Sequence, residues 1–453
     1  MTGLLLLLIP LAFVIYTVYK GLNPTISMLI GALLVCVVEG INPMTGIIGS
    51  QMEPSTFVTG LQSACAMFFF VFIMANLFGQ VYMWTGGAKS IANALTNIVV
   101  RNSTGFNAKM KAIYAFMAVS IVFGFGGLDA FVCVFTLLPI GLMMFEKYDI
   151  PRKLLPATLF AGVTTAVCCP GTPLSCGNIL ASMFLGTKTT AAFIPGLVGV
   201  IVIFACDVIY LYKAVKKAEL NGEHFERGGA NMPPDNGDEK LPHPLLALLP
   251  LLTVAIMNLV FGINVSVSLL AGVLVACVTM SGSIMTPESK FKPYLELGNK
   301  GIAAAAMTFV PMAIQMALAT LIQATNGYAF LSEIFTNMAT STNALIAWAT
   351  SASLSGFLAG NAIAGLQLSA GIFTPIAEQI GLSLPAAHRI GCFAISILDT
   401  IPINAAVISG LMTCGLTHKE GYMPIFRTTV LYIFFGMIAV IAMCMLFPGL
   451  ATS

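Results

Sequence analysis

The stretch from Leu154 to Pro195 most restricts how this chain can fold. It is apolar enough to lie in lipid, yet it is interrupted at residues 169–178 by the segment CPGTPLSCGN. Proline lacks an amide donor and clashes with the preceding helical turn, so two prolines and two glycines cannot all lie inside one regular helix. Lipid offers no partner to the freed carbonyls, which must be satisfied by protein or water. The sequence therefore predicts a broken helix over residues 154–187.

The same pattern occurs a second time, at one fixed offset. Pro173 aligns with Pro402 and Pro156 with Pro385, since 402 − 173 = 385 − 156 = 229. Further pairs at this offset, found without a gap, are Gly127 with Gly356, Gly162 with Gly391, Gly186 with Gly415, and Pro195 with Pro424. We infer that the two halves share an ancestor, and we expect a second broken helix over residues 386–418.

Composition excludes a soluble protein. Of the 453 residues, 58% are hydrophobic and only 8% are charged. Apolar runs of about 20 residues recur without the alternation of a barrel strand, which indicates an all-α polytopic membrane protein. The run from Gly3 to Tyr19 has no preceding Lys or Arg and no small-residue cleavage site after it, so it is interpreted as the first span and not as a signal peptide.

The predicted organisation is a first repeat over residues 1–215, a cytoplasmic linker over 216–243 and a second repeat over 244–453. Spans are expected at about 4–19, 25–40, 57–84, 190–213, 245–262, 264–284, 301–325 and 424–446. The run 112–145 is too long for one crossing and contains the glycine-rich segment GFGGLD, so it predicts a re-entrant hairpin or a pair of tight spans, as does the region near 343–380. Each half then makes an odd number of net crossings, which predicts inverted-topology repeats.

Charge supports the same topology. With the N-terminus outside, only Lys188 and Arg389 lie outside, so 20 − 2 = 18 Lys and Arg residues are cytoplasmic. Both termini are therefore expected to be extracytoplasmic, in an inner membrane. The net charge of +2 and the lack of a basic, aromatic-interleaved patch give no reason to expect a nucleic-acid partner. The cysteines lie mostly in apolar runs and lack His or acidic neighbours at ligand spacing, so no metal site is expected.

The breaks and hairpins supply candidate substrate-binding residues. A half-helix N-terminus that faces a cavity offers unpaired amides and a positive dipole end to a carboxylate. The candidates are Thr172, Ser175 and Asn178 in the first break, Thr400 and Asn404 in the second, and Gly126, Gly127, Ser353, Ser355 and Asn361 in the hairpins. The alternative is structural: the polar groups would only satisfy backbone freed by the prolines, and the glycines would only permit close helix packing.

Charged residues inside apolar runs are few. A buried acid costs several kcal/mol unless it is paired or protonated, so Asp399 and Asp129 are candidate proton-coupling residues, with H⁺ as the favoured coupling ion and Na⁺ as the alternative. Asp399 could instead be a helix cap, and Asp207 is expected at the membrane interface. Arg389 could hold or steer an anion, or it could snorkel to the surface. No catalytic motif is present, so neither an enzyme nor a cofactor is expected.

Several segments carry a family resemblance. They are LLPAT at 154–158, PGTP at 170–173 with Asn178, HRI at 388–390, LDTIP at 398–402 and LTHK at 416–419. Together they resemble the gluconate permease family of sugar-acid:proton symporters, within the ion transporter superfamily. The resemblance implies an inner-membrane homodimer in which a transport domain, made of both hairpins and both broken helices, moves like an elevator against a scaffold.

The sequence also departs from that family. Ile403 stands where many members carry a histidine after the proline, and the first break lacks a His-Pro-rich loop. A shorter acid than gluconate, such as hydroxybutyrate, lactate or glycerate, is therefore an alternative substrate. The rival interpretations are a cation/proton antiporter of the same superfamily and, from another class, a membrane enzyme or structural subunit.

Overall fold

The computed structural model shows an all-α protein. It describes residues 9–14, 16–17, 20, 22–49, 56–87, 90–91, 94, 97–98, 100, 103–125, 130–172, 175–229, 241–257, 261, 263–284, 291–359, 362–402 and 404–451. Within these ranges the regular structure is helical throughout, with no strand. The prediction of an all-α polytopic fold is confirmed.

The helices follow the hydropathy of the sequence closely. In the first half, after a helical piece at residues 9–14, they are α1 (Pro24–Glu39), α2 (Phe57–Trp84), α3 (Gly105–Phe125), α4 (Ala130–Lys147), α5 (Leu155–Cys168), α6 (Cys176–Leu185) and α7 (Phe193–Leu220). In the second half they are α8 (Pro244–Ala255), α9 (Val265–Thr279), α10 (Lys292–Gln323), α11 (Asn326–Ser341), α12 (Ala344–Ala359), α13 (Ala362–Phe373), α14 (Leu384–Asp399), α15 (Ala405–Thr413), α16 (His418–Phe426) and α17 (Tyr432–Leu446). A π-helical turn, Arg427–Leu431, joins the last two.

Membrane-spanning helices dominate the described part of the chain. Five stretches in it are long and apolar enough to cross a bilayer: Phe57–Tyr82, Gly105–Phe125, Phe193–Leu220, Lys292–Gln323 and His418–Leu446. The protein is thus a multi-pass membrane protein. The predicted span 301–325 starts too late, because α10 begins 301 − 292 = 9 residues earlier. Its first turns carry Lys292, Glu296 and Lys300. These charged residues fall outside a span chosen by hydropathy, although Lys and Glu are good helix formers.

Helix boundaries repeat at the offset seen in the sequence. The starts of α5 and α14 are separated by 384 − 155 = 229 residues, and those of α6 and α15 by 405 − 176 = 229. Each predicted broken helix is two half-helices, and each predicted hairpin region contains two helices, α3 with α4 and α12 with α13. The internal duplication therefore extends to the secondary structure on both sides of each break.

The half-helices after the breaks exchange places between the two halves. Leu180 and Leu185 of α6 lie in the hydrophobic core built mainly by α12, α13 and α14. Reciprocally, Val407 and Leu411 of α15 lie in the core built mainly by α3, α4 and α5. Helix α6 contacts α13 and α14, just as α15 contacts α4 and α5. The chain thus passes from one core to the other at each break. The inverted orientation of the two halves in the bilayer stays a prediction.

Helices α1, α2 and α10 pack against one another, while Phe78 of α2 and Leu297 of α10 also reach the core of the first half. Two smaller hydrophobic clusters hold these helices together. Helices α2 and α10 approach closely at Gly60, where an added Cβ would lie 2.7 Å from the Ala317 Cα and 2.5 Å from the Thr320 Oγ1. A small residue at this crossing lets the two backbones pack directly.

Ion pairs hold the start of the predicted linker 216–243 against the first half. Helix α7 extends into this segment, so its first residues are helical. Asp149, in the turn after α4, accepts hydrogen bonds from the Phe225 N at 2.9 Å and pairs with the His224 Nδ1 at 2.7 Å. These two bonds hold the pKa of the Asp149 carboxyl below its usual range. The beginning of the linker is therefore anchored; residues 230–240 lie outside the described part.

Candidate functional site

The three polar residues predicted in the first break lie together. The Asn178 Nδ2 donates to the Thr172 Oγ1 at 2.7 Å and to the Cys169 O at 3.2 Å, and the Thr172 Oγ1 donates to the same carbonyl at 2.8 Å. The Ser175 Oγ donates to the Val167 O at 3.2 Å. These side chains satisfy carbonyls that the break frees at the end of α5, as the structural alternative requires.

Arg389 anchors this cluster from the other half of the chain. Its side chain is fully buried, and its Nη1 donates to the Asn178 Oδ1 at 2.9 Å, an oxygen that also lies 3.1 Å from the His388 Nε2. Its Nε donates to the Ala191 O at 3.2 Å and its Nη2 to the Thr189 O at 2.8 Å. Of the two alternatives for Arg389, snorkelling does not agree with this burial, because loop carbonyls and an amide oxygen surround the guanidinium.

The charge of Arg389 has only neutral hydrogen-bond partners in the described part of the chain. No described Asp or Glu carboxylate lies within ion-pair distance of the guanidinium. Helix α7 closes over its stem at Gly196, where an added Cβ would lie 2.6 Å from the Arg389 Cδ. A buried cation without a counter-ion is costly and makes the surrounding potential positive. The site therefore favours an anion.

The two half-helices that follow the breaks begin differently. At the start of α15, the Asn404 Oδ1 accepts from the Ala406 N at 2.8 Å and the Val407 N at 3.4 Å, so its side chain caps the helix. Ser175 stands at the same place before α6, but its side chain makes no capping hydrogen bond. The positive end of α6 therefore lacks the side-chain oxygen that caps α15.

Equivalent positions of the internal repeat carry polar residues at the first break and apolar residues at the second. At the offset of 229, Arg389 corresponds to Phe160, since 389 − 229 = 160, and Asn178 to Val407, since 178 + 229 = 407. Phe160 is fully buried and packs against α15, where a Cβ on Gly410 would lie 3.2 Å from the Phe160 Cε2. Sequence comparison of the halves for identities missed this asymmetry; a search for polar residues aligned with apolar ones would have found it.

In the second break Thr400 is engaged by the last helices of the chain. Its hydroxyl hydrogen-bonds to the hydroxyl of Thr429, and its carbonyl accepts from the Tyr422 OH at 3.2 Å. The described hydrogen bonds of Thr400 thus go to these last helices and not to the cluster of Thr172, Ser175 and Asn178.

The helices that lead into the two breaks nevertheless end side by side. The Sγ of Cys168, the last residue of α5, lies 3.9 Å from the Cys392 O and 3.9 Å from the Ser396 Oγ. Ser396 is less than one turn from the end of α14. The two breaks therefore start at similar levels of the bundle.

The described hairpin serines tie their helix to its neighbours. The Ser353 Oγ donates to the Ala394 O of α14 at 3.2 Å, and the Ser355 Oγ accepts from the Ser369 Oγ of α13 at 3.2 Å. Four predicted residues, Gly126, Gly127, Asp129 and Asn361, lie outside the described residues, as does the side chain of Asp399.

Asp207, expected at the membrane interface, is fully buried by protein in the middle of α7. Its depth in the membrane stays a prediction. Hydropathy placed it near the cytoplasmic end because the expected span stopped at residue 213, whereas α7 continues for two further turns, to Leu220.

Two further features bear on the kind of site. No group of three His, Cys, Asp or Glu side chains that could hold a metal ion occurs among the described residues. A cavity of about 480 Å³ lies between α2, α3, α8 and α9, but its wall is apolar, with Phe78, Val119 and Leu248 among the lining residues. Such a wall does not suit a charged solute, so the first break is the better candidate site.

Comparison with known proteins agrees with a membrane transport fold. No family model matches the sequence. The chain is 26% identical, over 473 aligned residues, to the uncharacterized transporter YxjC of Bacillus subtilis (strain 168), with 94% of this chain and 96% of that protein covered. Its fold is similar to that of the Alcanivorax borkumensis YdaH transporter, whose crystal structure was described as having an unusual topology. The TM-score is 0.51 at 16% identity, over 90% of this chain and 91% of that one.

Proposed function

We propose that the protein is a secondary active transporter that takes up a small hydroxylated monocarboxylate or sugar acid together with a proton. The transporter relative at 26% identity and the transporter fold support membrane transport. The gluconate permease resemblance supports a hydroxylated acid as the substrate. The proposed substrate is gluconate-like or shorter, in the range of hydroxybutyrate, lactate or glycerate.

One observation carries the proposal for an anion: the buried guanidinium of Arg389 has no acidic partner among the described residues and lies beside the uncapped start of α6. A carboxylate about 7 Å from this charge would gain about 2 kcal/mol at an effective dielectric constant of about 20. The α6 dipole adds a smaller term of the same sign.

The hydrogen bonds around Arg389 suggest which groups would contact the substrate directly. The five guanidinium N–H donors are occupied by the Asn178 side chain and by the carbonyls of Cys168, Thr189 and Ala191. Arg389 would therefore act on the substrate through its charge and stabilise the conformation of the break. Direct contacts to the carboxylate would come from the first amides of α6, and contacts to substrate hydroxyls from Thr172 and Ser175. Thr400, Asn404 and the hairpin residues remain candidates for the opposite side of the substrate.

The transport movement proposed is an elevator in a homodimer. The two exchanged cores, which contain both broken helices, would form the moving domain. Helices α1, α2 and α10, which share two smaller hydrophobic clusters, would form the scaffold, with Phe78 and Tyr82 of α2 at its contact with the moving domain. Asp399 and Asp129 are the proposed proton-coupling acids from the sequence.

Ligand-induced thermal stabilisation of the purified protein tests the anion site. Several hydroxymonocarboxylates are titrated against wild type, Arg389→Lys and Arg389→Gln. Losing about 2 kcal/mol of attraction should weaken the affinity of Arg389→Gln about thirty-fold. The Lys variant keeps the charge but loses the forked geometry, so it should retain more affinity than the Gln variant.

Two outcomes would contradict the proposal. Equal affinities for the Lys and Gln variants, both folded, would show that the charge of Arg389 does not attract the substrate. Stabilisation of wild type by Na⁺ alone, with none by any carboxylate, would favour the cation/proton antiporter.

A further inference from the structure

Asp207 is a buried acid for which the site described above has no use. Its side chain is fully buried in α7, and neither Oδ1 nor Oδ2 has a hydrogen-bond partner among the described residues. Ser175, Asn178 and Arg389, by contrast, all have described partners. A carboxyl that is buried without partners is unusual, because native structures satisfy nearly all such groups.

No described hydrogen bond or ion pair joins Asp207 to a charged group that could stabilise its ionised form. Helix α7 packs against α3, α5, α14, α17 and the π turn Arg427–Leu431. The titratable or charged groups on these elements include Cys206 and Tyr210 on α7 itself, Tyr114 on α3, Cys168 on α5, His388 and Arg389 on α14, Arg427 on the π turn, and Tyr432 on α17. None of them hydrogen-bonds to Asp207 among the described contacts. Arg427 lies instead over the Tyr210 ring, at 5.5 Å, and the Tyr114 OH donates to the Val208 O at 3.1 Å.

We propose that Asp207 carries a transported proton, which it holds in the described conformation and releases when the packing of α7 against α17 opens to water. The proposal rests on the proposed function, since it assigns a proton site to that symporter. An ionised carboxylate at this position would be buried without hydrogen bond or counter-ion, at a cost of several kcal/mol, whereas the neutral acid avoids most of it. The cycle is balanced: one O–H bond breaks as the proton passes to water on one side, and it forms again with a proton taken up on the other.

The position of Asp207 connects it to both broken helices. Helix α7 contacts α5 and α14, which end at the two breaks, and it touches the stem of Arg389 at Gly196. Asp207 lies 207 − 196 = 11 residues further along α7, or about 16 Å at the rise of an α-helix. A movement of α14 with bound substrate would therefore shift the packing around Asp207. If bound substrate changes the proton affinity of Asp207, the bound proton must change the substrate affinity by the same free energy, because linkage is reciprocal. Protonation of Asp207 would therefore favour the substrate-loaded state.

Two transport assays on proteoliposomes separate coupling from binding. Asp207→Asn keeps the size of the side chain but cannot ionise. We expect it to exchange labelled for unlabelled substrate in counterflow at near wild-type rates, while losing at least ten-fold in accumulation driven by an imposed pH gradient. Asp149→Asn, at the exposed loop carboxylate, is the matched control and should keep both activities.

The outcomes distinguish this inference from the proposed function. Wild-type accumulation in the Asp207→Asn variant would overturn the role of Asp207 and leave symport intact. Failure of wild type to exchange or accumulate any carboxylate would instead overturn the proposed function.

A second measurement does not require the Asp207 variant to fold. Infrared spectra of protein with ¹³C-labelled aspartate should show the C=O stretch of a protonated aspartic acid at neutral pH. The band should persist in Asp129→Asn and in Asp399→Asn. Its absence from wild type, or its loss in either of these two variants, would overturn the proposal.

Discussion

Asn178 and Asn404, which lie near the starts of half-helices α6 and α15, have different structural roles. The Asn178 oxygen accepts from Arg389 and lies beside His388, so it takes part in the charged cluster. The Asn404 oxygen accepts two backbone amides of α15 and so caps that helix. From the sequence, both were predicted to bind substrate, whereas the described contacts connect Asn178 to the Arg389 charge and Asn404 to backbone amides.

The matched substitutions Asn178→Ala and Asn404→Ala test this difference. We expect Asn178→Ala to weaken carboxylate affinity about ten- to a hundred-fold, the value of one charge-assisted hydrogen bond. Asn404→Ala should lower the free energy of unfolding by about 1 kcal/mol, as lost N-caps do, with a smaller effect on affinity. Isothermal titration and thermal unfolding of both variants provide the measurement. A larger affinity loss for Asn404→Ala would contradict the assignment.

At the scale of helices, the duplication fixes where each element begins but not how tightly it packs. Gly162 of α5 and Gly391 of α14 are equivalent at the repeat offset. A Cβ on Gly162 would lie 2.5 Å from the Ser120 Cβ and 2.7 Å from the backbone oxygen of Met117. A Cβ on Gly391 would lie 3.3 Å from its nearest neighbours, which are side-chain atoms.

Alanine at these two positions should therefore have unequal effects. Gly162→Ala should destabilise the protein by about 1–3 kcal/mol, because α3 backbone would have to move away. Gly391→Ala should cost less and could come close to neutral, because side chains can yield and alanine favours a helix by about 0.5–1 kcal/mol over glycine. Thermal unfolding in detergent compares the stability of the two variants. A larger destabilisation by Gly391→Ala would contradict the closer helix packing at Gly162.

The secondary structure was largely predictable, because prolines, glycines and hydropathy act locally. The span 57–84 and the half-helices around both breaks are within a few residues of the sequence-based expectation. The exchange of α6 and α15 between cores was not predictable, since periodicity does not say which partner an apolar helix meets. The burial of Arg389 was missed for the same reason: its partners, Asn178 and the carbonyls near residue 190, are about 200 residues away in sequence.

At the level of the whole molecule, the reciprocal contacts of the two halves agree with an internal repeat, and its inverted orientation in the membrane stays a prediction. The charge distribution predicts that the linker 216–243 lies in the cytoplasm and both ends of the chain lie outside. Single cysteines introduced on a cysteine-free background should therefore react with an impermeant reagent from outside near residues 2 and 452. A cysteine in the linker should react only after the membrane is opened. Linker labelling from the outside would refute the topology.

The proposed function requires the protein to move a hydroxylated carboxylate together with a proton. Uptake of labelled gluconate, glycerate, lactate and hydroxybutyrate into proteoliposomes, with an inward proton gradient and without Na⁺, tests it directly. We predict that at least one of these acids accumulates above equilibrium, and that a protonophore abolishes the accumulation. Na⁺-driven proton movement with no uptake of any of the acids would contradict the account.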